Sequence, residues 1–202
     1  MTDTKERILE ASTELFRRQG YAATGMNQIV AEAQAALGSI YHFFPGGKEQ
    51  LAVEAIRKSG ALYGQLIDAV FDPAPDVVAG VSDFFLGAAQ HLQDTDFEDA
   101  CPIATVALEV ASTNETLRRT TAEVFDSWIT NTASRLHGAG MLRARAREVA
   151  TLLLALLEGS FVLCRASRSI DPLQAAEREA VAIVSRALDS TDRTRRRATR
   201  RR

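Results

Sequence analysis

Apolar residues recur at helical spacing along nearly the whole chain, and no stretch alternates apolar and polar residues with the period of a strand. The pattern predicts an all-α fold of about nine helices. Ile8, Ala11, Leu15 and Phe16 form the apolar stripe of a first helix. It opens at Asp3, with Glu6 three residues on as in a capping box, and Gly20 ends it. Two short amphipathic segments follow over 26–33 and 36–44, separated by a tight break at Gln34-Ala35. Ile29, Val30 and Ala33 share one side of the former, and Ile40 and Phe44, four apart, share one face of the latter. Pro45-Gly46-Gly47 then forces a turn.

From Lys48 the helical pattern runs unbroken through Leu51, Ala55, Leu62, Leu66 and Val70 until Pro73 and Pro75. That is about 35 Å of helix at about 1.5 Å per residue. Further helices are expected over 76–92, over 102–112 with proline in the first turn, and over 115–136 and 143–166. A last helix, capped at Asp171-Pro172, buries Ala175, Ala176, Ala180, Ile183, Val184 and Leu188. The expected organisation is a three-helix unit over 1–47, a larger helical domain over 48–190 and a basic, disordered tail over 191–202.

Packing Ile40 and Phe44 inward leaves Gly38, Ser39, Tyr41 and His42 on the outward side of the second short segment. Two short helices a few residues apart, the second displaying small and polar groups, are the parts of a helix-turn-helix that reads DNA. An ordinary helical hairpin, with its Tyr and His capping a core, fits the pattern equally well. On the DNA reading, Ser39, Tyr41 and His42 reach phosphates or base edges and Gly38 permits close approach. Thr24 and Asn27, around the start of the preceding helix, can bond phosphate through side chain and backbone N–H, and Lys48 is a candidate phosphate clamp.

The chain has 202 residues, 46% hydrophobic and 25% charged, the composition of a globular protein of at most two small domains. Thr2–Glu10 is polar and charged, unlike a signal peptide. The longest apolar run, 149–164, contains Glu158 and falls short of the roughly 20 residues that cross a bilayer. It is expected as a core or interface helix, with Gly159 permitting close helix approach. Cys101 and Cys164 match no disulfide framework or zinc spacing, so a cytoplasmic protein fits best. The net charge of −2 hides an asymmetry: residues 193–202 hold seven of the 24 bases and no acid, leaving 17 bases against 26 acids in the body.

Thr24, Ile29 and Ala33, then Gly38-Ser39-Ile40-Tyr41-His42-x-Phe44 and Gly47-Lys48-Glu49-x-Leu51, closely resemble the DNA-binding module of TetR-family transcriptional regulators. The stretches TGMNQIV, GSIYHFFPGGKEQL and CPIATVALE look like the LmrA-like branch of that family. The resemblance implies DNA contacts from Thr24, Ser39, Tyr41, His42 and Lys48. It also implies a homodimer on a palindromic operator and a cavity for a small hydrophobic or aromatic effector in the larger domain. Phe84, Phe85, Ile103, Trp128 and Phe161 are the candidate lining residues, although core packing alone accounts for each one singly.

Three positions depart from the family pattern. Gln34 stands where Gly is usual, Ala36 where Ser or Pro starts the recognition helix, and Leu37 where Lys is common. Residues 1–58 hold seven bases and seven acids, a neutral unit that draws little affinity from counterion release. A helical small-molecule binder with weak or no sequence-specific DNA binding is therefore the alternative function. No activated nucleophile, paired acid and base, phosphate loop or metal spacing appears, so no enzyme and no cofactor are expected. Cys101, at a helix start, is either a buried thiol or a redox-sensitive one.

Overall fold

The structure is a computed structural model that describes residues 3–99 and 101–199, with side chains described to residue 190. Among the described residues the chain forms nine helices and no strand. They are α1 Thr4–Ala23, α2 Met26–Glu32, α3 Leu37–Phe43, α4 Gly47–Phe71, α5 Val77–Asp94, α6 Pro102–Val110, α7 Glu115–Gly138, α8 Arg143–Ser167 and α9 Asp171–Thr199.

The helices pack as two compact units, Met1–Tyr63 with Asp99–Phe125, and Gly64–Glu98 with Asp126–Arg202. These packing units are drawn differently from the division at 47 and 48, because α6 packs along α1 and so joins the N-terminal helices. In the first unit Ile8, Ile29, Ile40, Phe44, Leu51, Ile103 and Leu117 are fully enclosed, so one apolar core serves α1, α2, α3, α6 and the near parts of α4 and α7. In the second, α5 and α8 pack on α9 around Val81, Leu92, Val149, Leu173, Ala180 and Val184.

Local details differ from the sequence pattern in four places. Asp3 is the N-cap of α1 but its side chain makes no capping bond. Its expected box partner, Glu6, instead pairs with the Lys58 ammonium on α4, where an opposite charge outbids a backbone amide. Gly20, at φ 81 and ψ 175, interrupts α1 as expected, but a further helical turn carries the chain to Ala23. At the other end α9 continues to Thr199, into the segment expected as a disordered tail, while the arginines of 200–202 lie outside the described residues.

The fourth is α8. By length and composition alone it could cross a membrane, because its most apolar 18-residue stretch holds at most two charged residues among many aliphatic ones. Its geometry is that of a helix with one packed face: Val149, Ala150, Leu153, Leu157, Phe161 and Cys164 are buried, while Leu152, Val162 and Leu163 are exposed. Gly159 is also exposed, and nothing lies within 4 Å of where its Cβ would be.

Candidate nucleic-acid interface

The turn between α2 and α3 is closed by backbone bonds and by the Arg7 Nε of α1, which donates to Ala33 O at 3.2 Å. The Ala35 N–H donates to Val30 O at 2.9 Å and the Gln34 N–H to Ala31 O at 3.2 Å. Gln34 takes φ 49, the left-handed conformation, which costs a residue with a Cβ about 1 kcal/mol. Ala36 is the N-cap of α3 and offers no side-chain acceptor. α3 therefore starts without a side-chain cap, and its position is set by burial of Ile29, Ile40 and Phe44, each at 0% exposure.

That anchoring fixes what α3 turns outward. Tyr41 is 53% exposed and Leu37 42%, and His42 and Gly38 are exposed while Ser39 is half-buried. No atom lies within 4 Å of a Cβ built on Gly38, so internal packing does not require glycine there. The His42 ring meets Phe43 edge-on with centroids 4.8 Å apart. Beside Tyr41 the chain turns into α4 at Gly47, whose φ of 64 suits glycine. Here the Gln50 Oε1 accepts the Gly46 N–H at 2.9 Å.

The flanking candidates divide into two kinds. Asn27, in the first turn of α2, is exposed. Thr24 is 1% exposed; its hydroxyl donates to Gly20 O at 2.7 Å and accepts from Gln19 Nε2 at 3.1 Å. The Thr24 N–H donates to Tyr21 O, so both its donors are spent inside the fold. Thr24 thereby pins the α1–α2 junction. Lys48 is half-buried, with Nζ 4.3 Å from the Tyr21 ring centroid. Burial pulls its ammonium below the ordinary lysine range, and the Glu109 carboxylate partly opposes that shift. Burial, with Glu49 adding to it, pushes the Tyr21 hydroxyl up.

Sequence reasoning missed Gln19, Gln28 and Glu109. The Gln19 Nε2 donates to Gln28 Oε1 at 2.8 Å, tying α1 to α2. The Glu109 Oε2 accepts the Ala22 N–H at 2.8 Å across 87 residues of sequence. The only hint of that approach in the sequence is Gly20 itself.

The five apolar candidates are divided between the two units. Phe84, Phe85, Trp128 and Phe161 lie in the second unit, and all but the half-buried Phe84 are 8% exposed or less. Phe84 sits 6.3 Å from Phe71, ring centre to ring centre. Ile103 belongs to the first unit, at 0% exposure, because α6 packs on α1. Cys101 is 2% exposed and caps α6, its Sγ accepting the Ala104 N–H at 3.4 Å. Burial pushes the Cys164 thiol up, opposed by a backbone bond from Leu173. No cluster of three or more His, Cys, Asp or Glu side chains able to hold a metal occurs among the described residues.

Comparison with known proteins places this geometry. Residues 8–55 match the family described as bacterial regulatory proteins, tetR family. Residues 77–179 match the family described as transcriptional regulator LmrA/YxaF-like, C-terminal domain. The chain is 37% identical to the HTH-type transcriptional regulator YxaF of Bacillus subtilis, over 85% of this chain and 90% of that protein. It is 34% identical to the HTH-type transcriptional regulator LmrA of the same organism, over 85% and 91%. Among solved structures, a TetR regulatory protein from Rhodobacter sphaeroides superposes with a TM-score of 0.78 at 21% identity, covering 88% of this chain and 97% of that one. Matched in both its helix-turn-helix and its C-terminal domain, the chain belongs to the TetR family of helix-turn-helix, DNA-binding transcriptional regulators, which are not enzymes.

Proposed function

We propose that the chain is a cytoplasmic repressor that binds a palindromic operator as a homodimer and is released by a small hydrophobic or aromatic effector. The observation that carries the DNA half is the outward face of α3, where Leu37, Gly38, Tyr41 and His42 are exposed over a fully enclosed Ile40. Asn27, Ser39 and Lys48 complete the proposed contact set. In this division of labour residues 1–47 read DNA and 48–190 bind effector and dimerise. The arginine-rich end adds sequence-blind attraction to phosphate.

Dimerisation is supported by α8. Leu152, Val162 and Leu163 expose an apolar face around Gly159, which lets a second helix approach closely. Pairing of α8 and α9 with their copies makes a four-helix bundle. It would hold two reading units roughly 34–36 Å apart, one turn of DNA. The effector site is assigned to Phe84, Phe85, Trp128 and Phe161 in the second unit; Ile103, in the core of the first, is set aside. α4, continuous from Gly47 to Phe71, carries the effector's bias to the turn after α3.

A coupling of about 1–3 kcal/mol changes operator affinity about 5–150-fold. The test is fluorescence anisotropy of a selected duplex while planar aromatic compounds are titrated in. A loss of affinity in that range supports release by effector, and constant affinity across the panel reduces the protein to a constitutive binder. The second reading, a small-molecule binder that reads DNA weakly, is favoured by the left-handed Gln34 and the uncapped Ala36. Binding of the aromatic panel without selection of any duplex would establish it.

A further inference from the structure

α3 turns one aliphatic side chain outward. Leu37, its first residue, is 42% exposed. Closing the first turn of α3 falls to the Ser39 N–H, which donates to Ala36 O at 2.9 Å. Apolar bracing of a helix start comes from the position before the cap and from the fourth helical residue, here Ala35 and the fully enclosed Ile40. Leu37 stands one turn from Tyr41, which is 53% exposed, so the two share a flank of α3. The Tyr41 ring lies beside Gly47, 3.7 Å from a Cβ built there, where the chain turns into α4. Next to Leu37, Gly38 carries no side chain, and nothing lies within 4 Å of where its Cβ would be. A surface approaching this end of α3 therefore meets the leucine methyls directly.

We infer that Leu37 is a specificity-determining residue that packs against the C5-methyl of a pyrimidine, thymine or 5-methylcytosine, in the major groove of the operator. The inference rests on the proposed reading of DNA by α3. Asn27, Ser39, Tyr41 and His42 all offer hydrogen-bonding atoms, which can go to phosphates or to base edges. Leucine offers none. The one apolar group on the major-groove edge of unmodified base pairs is the thymine methyl, and 5-methylcytosine presents a methyl in the same place. Against any other base edge, Leu37 would cover donors or acceptors without replacing their bonds to water, which costs affinity. Its contact therefore discriminates between bases, and because it carries no charge it is insensitive to salt. Residues 1–58 hold seven bases and seven acids, so discrimination of this kind weighs more than it would beside a dense set of phosphate contacts.

The test uses a duplex selected by the full-length wild-type protein, with anisotropy measured at two salt concentrations. Each thymine of one half-site is replaced in turn by deoxyuridine, which lacks only the methyl. The expected result is one position at which wild-type binding weakens about fourfold, the fold-change for burying one carbon group, and equally at both salts. Leu37→Ala, at an exposed position, loses that discrimination, and Leu37→Met, which keeps an apolar side chain of similar volume, retains it. Leu37→Lys steepens the salt dependence and does not distinguish the two bases. Cytosine and 5-methylcytosine at the same position identify the source of the methyl. Tightest binding with thymine assigns it to thymine, and tightest binding with 5-methylcytosine assigns it to a methylated site. A scan in which neither pair responds to the methyl, or a response that Leu37→Ala keeps, overturns the inference and leaves DNA reading by α3 standing. A wild-type protein that selects no duplex overturns that reading and the inference with it.

Discussion

Gly20 and Glu109 are complementary: the carboxylate of one occupies the space a side chain on the other would take, with Glu109 Oε1 1.6 Å from a Cβ built at residue 20. The backbone at Gly20 is also left-handed, at φ 81, so two separate demands meet at one residue. Gly20→Ala is expected to destabilise the protein by about 1–3 kcal/mol, from backbone strain and loss of the Glu109 bond to Ala22. For a chain of this length that lowers Tm by roughly 2–4 °C per kcal/mol, measured by thermal melting. An unchanged Tm would mean that the α1 break carries no such constraint.

Asp68 gives a pH-dependent test. A hydrogen bond from Asn131 Nδ2 at 2.9 Å and one from Arg135 Nη2 at 2.6 Å hold its carboxyl below the ordinary range. A carboxylate with a depressed folded pKa contributes stability that is fully present above about pH 3.9, its unfolded value. That contribution is lost as pH falls through the folded value. Asp68→Asn should therefore melt at lower temperature than wild type at pH 7, with the gap closing at the acid end of a Tm series. A gap independent of pH would assign the effect to packing instead.

The apolar face of α8 predicts an oligomeric state. Leu163→Asp places a charge on a side chain that is 59% exposed in the single chain and buried in the proposed dimer. Sedimentation equilibrium should show dimer dissociation weakened about thirtyfold or more, the loss expected at an interface hot spot. Helicity should be unchanged. A wild-type protein that sediments as a monomer at all concentrations would contradict the assignment.

The proposed function assigns sequence reading to α3 rather than to the arginine-rich end. The full chain and a 1–192 truncation, which removes seven arginines, should enrich the same sequence from random duplexes. The truncation should bind less tightly at low salt and show a shallower salt dependence. Enrichment confined to the full chain would move recognition to the C-terminal segment.

What was legible in the sequence was mostly local. Helical spacing located the nine helices, and the apolar positions Ile29, Ile40 and Phe44 fixed the orientation of α3, because these features depend on neighbours three or four residues away. Gln34 stands where Gly is usual, and its φ of 49 is the left-handed conformation that glycine favours. What failed was the competition between local and distant partners. Glu6 fits a capping box by spacing yet pairs with Lys58, 52 residues on. Ile103 is as apolar as any cavity residue, and no periodicity says that α6 packs on α1. Glu109 and Ala22 are 87 residues apart, so nothing short of the fold reveals that they touch.

The most direct test of the central claim is selection from random duplex DNA by the wild-type protein and by Tyr41→Ala, at two salt concentrations. Tyr41 is exposed on α3 and outside the enclosed core, so its truncation should leave the fold intact. The wild type should enrich one palindrome at both salts, and Tyr41→Ala should lose the enrichment while keeping wild-type thermal stability. Binding that vanishes at the higher salt and enriches no sequence, or a Tyr41→Ala variant that selects the same palindrome as well as wild type, would contradict the central claim.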